Sequence, residues 1–140
     1  MKKKFSIIFL GKAECDYSKK IFHYLRKKKH KIIFYETDIG DLKKIKKKIQ
    51  ESKKKFDFLF SFRSHLILNL KILNKIKIAS INFHPGPPNY RGIGCANFAL
   101  LKNDKKYGVT CHLISRKIDA GKILNVKYFS INKYDNIENL

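Results

Sequence analysis

Short apolar runs alternate along the first half of the chain with longer stretches whose apolar positions recur at helical spacing. The run from Phe5 through Ile7, Ile8 and Phe9 to Leu10 predicts a strand. A helix is predicted from about Asp16, a good N-cap type, because Ile21, Phe22, Tyr24 and Leu25 then fall on one face. The pattern repeats with a strand at 31–35 and a helix at 41–52, and again with a strand at 56–60 and a helix at 67–74. Strands that alternate with helices in this way predict a parallel sheet covered by helices.

A fourth strand is predicted at 78–83, and it runs into a loop at 84–92 that holds all three prolines, Pro85, Pro87 and Pro88. Proline restricts φ, so this loop is expected to be rigid, with a cis bond as one way of making it so. Residues 95–102 read as a short helix. Beyond 107 the character changes to two β-rich runs, 107–115 and 123–131, separated by a turn-bearing segment, 116–122, which predicts an antiparallel extension. The fold class expected is therefore α/β, a Rossmann-like, mostly parallel sheet flanked by helices with an antiparallel C-terminal strand extension, in one domain over residues 1–140. A further helix is expected to begin at 135–140, as in a C-terminally shortened form or a fragment.

Composition agrees with a single core: the 140 residues are 44% hydrophobic. No run approaches the 18 or so apolar residues of a membrane span. The basic start at Met1 and Lys2 leads only to the short run ending at Leu10, followed by Gly11 and Lys12 without a small-residue cleavage site, so the expectation is a first strand in a soluble, cytoplasmic protein. Cys15, Cys95 and Cys111 form no Cys-x-x-Cys pair and read as buried free thiols. The formal charge of +21 raises nucleic acid as a partner. Yet 28 of the 32 basic residues are lysine, as an AT-rich coding genome would impose, and Arg26, Arg63, Arg91 and Arg116 are scattered. Nucleic acid is therefore not expected as the main partner.

Candidate chemistry gathers at the end of the fourth strand, where open α/β sheets bind ligands. Asn82 and His84 are spaced i, i+2, which puts an amide and an imidazole on one side of an extended chain. Asn82, His84 and Pro85, then Asn89, Tyr90, Arg91 and Gly92, then Gly108 to His112, and finally Asp119 and Gly121, resemble the folate-dependent formyltransferase family in order and spacing. The resemblance is specific over about 80–123 and looser before. It implies Asn82, His84 and Asp119 as catalytic residues, with Pro87, Tyr90, Arg91 and Gly92 near the acceptor. It also implies 10-formyltetrahydrofolate as the formyl donor, held by backbone groups at Phe62, Arg63 and Ser64 and by Asp119, with no metal. In such chemistry an amide or a protonated imidazole stabilises the formyl oxygen as it becomes negative, and a carboxylate or imidazole accepts the amine proton. His112, with Val109, Cys111 and Leu113 on the opposite strand face, is expected at the surface or behind the site.

The acceptor is read from departures. Family members acting on glycinamide ribonucleotide carry a Gly-rich turn for its phosphate, where this chain has Gly11 followed by Glu14 and Asp16, a poor anion cradle. Gly86, Pro87 and Pro88 after His84 look most like the sugar N-formyltransferases, which act on nucleotide-linked amino sugars of surface polysaccharides. Those proteins usually continue past this point with segments that help bind the nucleotide and form a homodimer. The alternatives are a methionyl-tRNA or glycinamide ribonucleotide formyltransferase, a related hydrolase, and, from a different class, a basic nucleic-acid-binding module without catalysis.

Overall fold

A computed structural model describes residues 3–140, so the basic start at Met1 and Lys2 lies outside the described residues. The chain divides into two compact units, Met1–Ile81 and Asn82–Leu140.

The first unit is built on β1 (Ser6–Lys12), which pairs in parallel with β2 (Lys31–Thr37) on one side and β3 (Phe56–Phe62) on the other. Ile7, Ile8, Phe9 and Leu10 are at most 2% exposed. A strand covered on both faces reads as a continuous apolar run rather than an alternation, which is why β1 is legible as it is. Each such side chain contributes about 1.5–3 kcal/mol by leaving water. The crossovers carry α1 (Asp16–Lys27) and, after a 3-10 turn at Ile39–Asp41, α2 (Leu42–Glu51). Gly11 lets α1 approach closely, since a Cβ there would lie 2.8 Å from the Cβ of Ser18.

Three details of the first unit differ from the sequence pattern. The N-cap of α1 is Cys15, with Asp16 in the first turn, and Tyr24 stays 59% exposed while Ser18 is buried on the helix's inner face. The helix predicted at 67–74 shrinks to α3 (Leu70–Leu73). Leu66 and Leu68 are buried and Ile67 is exposed, an alternation that belongs to extended chain. The Asn69 side chain then caps α3 by accepting from Ile72 N–H, which fixes where the helix can begin.

β4 (Ile76–His84) follows, and its last three residues, Asn82 to His84, belong to the second unit. That unit continues with α4 (Cys95–Leu101) and the antiparallel pair β5 (Lys106–Leu113) and β6 (Ile123–Ser130), with a bulge at Cys111 and His112. Its core is Tyr90, Cys95, Ala99 and Tyr107, with Ala96, Ile131 and Leu140 packed against them. The helix expected at 135–140 is absent; Asp135 accepts from Asn132 N–H and Asn136 from Glu138 N–H, so side chains satisfy the backbone locally and hold turns. No peptide bond among the described residues is cis. The fold class is α/β with mostly parallel strands flanked by helices and an antiparallel pair at the C-terminal end. No described helix is long and apolar enough to cross a membrane.

Candidate active site

The alternation of β4 puts Phe83 outward at 40% exposure and turns Asn82 and His84 inward, His84 to 5%. Asp119 reaches the same point from the segment between β5 and β6, in the left-handed region at φ 49°. Such a backbone costs an L residue energy, and here four contacts hold the carboxylate in place. Oδ1 accepts from Asn82 Nδ2 at 3.2 Å and lies 3.3 Å from His112 Nε2, while Oδ2 accepts from Gly92 N–H at 2.9 Å and lies 3.4 Å from His84 Nδ1.

The hydrogen-bond partners decide where protons sit. His84 Nε2 donates to the carbonyl of Tyr90 at 2.7 Å, and a carbonyl can only accept, so Nε2 carries a hydrogen. Nδ1 therefore faces Asp119 Oδ2 across a gap that brings two acceptors together unless one proton is shared between them. His112 Nδ1 donates to the Leu113 carbonyl at 2.8 Å, and its Nε2 lies 3.2 Å from Asn82 Nδ2 and 3.3 Å from Asp119 Oδ1. Asn82 Nδ2 thus has both His112 and Asp119 within hydrogen-bond distance.

The loop from Pro85 to Gly94 is shaped by side-chain donors. Tyr107 hydroxyl donates to the Pro85 carbonyl at 2.6 Å and Thr110 hydroxyl to the Gly86 carbonyl at 2.7 Å. Burial pushes the Tyr107 phenol well above its usual range, so it stays a donor at any physiological pH. Cys95 Sγ lies 3.5 Å from His84 Nε2 and donates to the Gly92 carbonyl at 3.4 Å. Burial pushes this thiol up, and the nearby Asp119 carboxylate adds to the shift. A small cleft of about 30 Å³ is lined by His84, Tyr90, Arg91, His112 and Asp119 with Ile123.

The structure brings Asn82, His84 and Asp119 together. Arg91 and Gly92 are exposed beside them, whereas Pro87 is buried and the Tyr90 ring, 8% exposed, turns into the core. Phe62, Arg63 and Ser64 belong to the first unit. There Phe62 ends β3 half-buried, Arg63 is exposed at φ 53°, and the Ser64 hydroxyl accepts from Leu66 N–H at 3.2 Å. Of the two places expected for His112 the surface is excluded: it is 4% exposed and touches both Asn82 and Asp119. Thr110 and His112 form the buried face of β5 while Val109 is 45% exposed, so the usual rule of apolar residues inside is inverted along this strand.

The end of β4 thus brings an amide and an imidazole together with a second imidazole from β5 and a carboxylate from the segment after it, groups that can donate and accept protons. The formyl transferase family profile matches residues 25–140, and the chain belongs to that family. The chain is 40% identical over 128 residues to the bifunctional polymyxin resistance protein ArnA of Wigglesworthia glossinidia brevipalpis, covering 88% of this chain and 19% of that protein. It is 33% identical over 108 residues to the methionyl-tRNA formyltransferase of Mycoplasmopsis pulmonis, covering 76% of this chain and 37% of that protein. In fold it resembles the formyltransferase PseJ of Anoxybacillus kamchatkensis, solved with UDP-4,6-dideoxy-4-formamido-L-AltNAc and tetrahydrofolate. That likeness has a TM-score of 0.72 at 19% identity and covers 95% of this chain and 65% of the other. The chain thus spans well under half the length of these two curated relatives.

Proposed function

We propose that this chain transfers a formyl group from 10-formyltetrahydrofolate to the amino group of a nucleotide-linked amino sugar, in the cytoplasm. The observation that carries the reading is the convergence of Asn82, His84 and Asp119 at the end of β4, where His84 and Asp119 line a cleft. The amino-sugar acceptor is favoured by the Gly86, Pro87 and Pro88 variant of the loop and by PseJ, a protein of like fold solved with a UDP-linked formamido sugar. The α1 N-terminus also supports it, since Glu14 and Asp16 make a poor seat for a simple phosphate. Backbone groups at Phe62, Arg63 and Ser64 are the proposed pterin contacts. Arg91 and Gly92 are proposed to face the acceptor, with Pro87 and Tyr90 shaping the loop behind them.

The chemistry asks little of the residues beyond proton management. A bond forms from the amine nitrogen to the formyl carbon, the bond from that carbon to the folate nitrogen breaks, and one proton passes from the amine to the departing nitrogen. His84 Nδ1 and Asp119 Oδ2, which face each other at 3.4 Å, can take that proton between them and return it. Asn82 Nδ2 faces His112 and Asp119 in long contacts of 3.2 Å. Exchanging one of them for a charge-assisted bond to the developing oxyanion costs little and stabilises the transition state.

The test is formyl transfer with 10-formyltetrahydrofolate and a panel of amine acceptors, read by product mass. Nucleotide-linked amino sugars should turn over, and Asn82→Ala, His84→Ala and Asp119→Asn should each lower the rate about 10²–10⁴-fold with the fold intact. Near-normal turnover in the Asn82 and His84 variants would overturn the mechanism. Turnover only of glycinamide ribonucleotide or methionyl-tRNA would overturn the acceptor.

A further inference from the structure

We infer that Asp104 and Tyr90 form a positioning pair that sets the orientation and protonated nitrogen of His84. The inference rests on the catalytic reading of His84 given above, but its structural core stands on bonds within one loop. The Tyr90 carbonyl is the acceptor that keeps a hydrogen on His84 Nε2, at 2.7 Å. That carbonyl sits in irregular chain, between Pro88 and the Gly92 and Gly94 positions at φ 82° and 74°. No strand ladder holds it.

A turn bond from Tyr90 N–H to the Pro87 carbonyl at 2.9 Å and the Cys95 thiol, 3.5 Å from the Tyr90 carbonyl, help to place it, and the Tyr90 side chain anchors it to the core. Between Pro88 and Cys95, Tyr90 alone is buried, while Asn89, Arg91, Gly92, Ile93 and Gly94 are exposed. The ring packs with Cys95, Ala99 and Tyr107, and its hydroxyl donates to Asp104 Oδ2 at 2.6 Å. Asp104 is itself fixed just after α4, where its N–H donates to the Ala99 carbonyl at 3.0 Å. The hydrogen bond to Asp104 pushes the Tyr90 phenol up, so it remains a donor throughout the working pH range. A hydrogen bond of 2.7 Å fails when its acceptor moves by about 1 Å. Releasing the phenol therefore lets the loop carbonyl drift and lets His84 choose its other tautomer.

Asp104 does not itself line the cleft; it bonds there to one lining residue, Tyr90, and so acts on His84 through it. The groups around the imidazole are Asp119 on Nδ1, the Cys95 thiol beside Nε2, and the His112 ring with its centroid 6.4 Å away. None of these is altered by a change at Asp104.

The experiment uses the full chain labelled with ¹⁵N-histidine, as wild type, Asp104→Asn, Asp104→Glu and Tyr90→Phe. Tyr90→Phe removes one hydroxyl and keeps the ring, so it should fold even if Asp104→Asn does not. In the wild type His84 should show a protonated Nε2 across the neutral range. In Tyr90→Phe and Asp104→Asn that signature should give way to a mixed tautomer, with Asp104→Glu restoring it in part. In formyl transfer the same variants should lose about ten- to a hundredfold in kcat, with a displaced pH–rate profile and an unchanged KM for the folate donor. An unaltered His84 signature together with a wild-type pH profile in Tyr90→Phe overturns the inference. A chain that transfers formyl to no acceptor, yet shows the tautomer change, overturns the functional reading and leaves the positioning pair standing.

Discussion

Gly86 has no room for a side chain because of what surrounds His84: a Cβ there would lie 2.8 Å from His84 Nε2 and 3.1 Å from Cys95 Sγ. In Gly86→Ala the imidazole must give way, since it is the movable party, and its bond to the Tyr90 carbonyl is lost first. The expected outcome is a tenfold or greater fall in turnover, of about the size a 1 Å misplacement produces, with little change in melting temperature. Gly121→Ala should do the opposite. Its Cβ would lie only 1.7 Å from the Leu113 carbonyl oxygen, a backbone atom tied in place by the Leu113 N–H to Lys122 carbonyl bond of 2.9 Å. Overpacking against backbone should destabilise the second unit by about 3 kcal/mol or prevent its folding, read as a lowered urea midpoint. Motif glycines thus separate into one that makes room for a reacting group and one that makes room for the chain. At this scale Asn82, His84 and Asp119 are legible because their spacing matches a family pattern. His112 and Asp104 are not: a histidine inside β5 breaks the usual burial rule, and a lone aspartate after a helix carries no pattern at all.

Among the elements, β1 and β3 are joined by more than their ladder. Asp57 Oδ2 accepts from both the Ser6 N–H and the Ser6 hydroxyl at 2.8 Å, and Lys77 Nζ lies 3.6 Å from Oδ1. The bonds from Ser6, with the Lys77 ammonium adding to them, hold this carboxyl below the usual aspartate range. Because the folded pKa is depressed, the stabilisation is fully present above the unfolded value of about 3.9 and fades as pH falls through the folded value. Asp57→Asn should therefore lower the urea midpoint at pH 6, and the gap to wild type should close between pH 4 and the acid limit. Salt should change the gap little, since hydrogen bonds to Ser6 rather than the exposed ion pair carry most of it. Equal gaps at pH 6 and pH 2 would show that the loss comes from packing instead. The strands were readable from the sequence because their apolar runs report burial directly. The short α3 was not, since Ile67 with Leu70 and Leu68 with Ile72 stand at helical spacing while Leu66 and Leu68 alternate as extended chain, and only the Asn69 cap decides between them.

At the scale of the whole chain the charge of +21 remains to be placed. Many of the described basic residues stand on the outer faces of α1 and α2. In α2, Ile45 and Ile49 face inward and lysines occupy most of the outer positions, with Lys47 paired to Glu51 at 3.8 Å. In α1, Lys20 lies over the Tyr17 ring and Arg26 over Phe22. These are solvated helix faces, and lysine ammonium groups spread over them offer a polyanion general attraction without bidentate contacts. Binding to duplex DNA or RNA should therefore be non-specific, falling by about 10³-fold or more between 50 and 200 mM salt as condensed counterions cease to be released. His84→Ala and Asn82→Ala should not alter it, because the cluster at the end of β4 takes no part. Fluorescence anisotropy with a labelled 20-base-pair duplex across that salt range reads both points. Tight binding that persists at 200 mM salt and prefers one sequence would mean that the lysine faces recognise nucleic acid, and the proton-transfer cluster would then need a substrate delivered on that polymer.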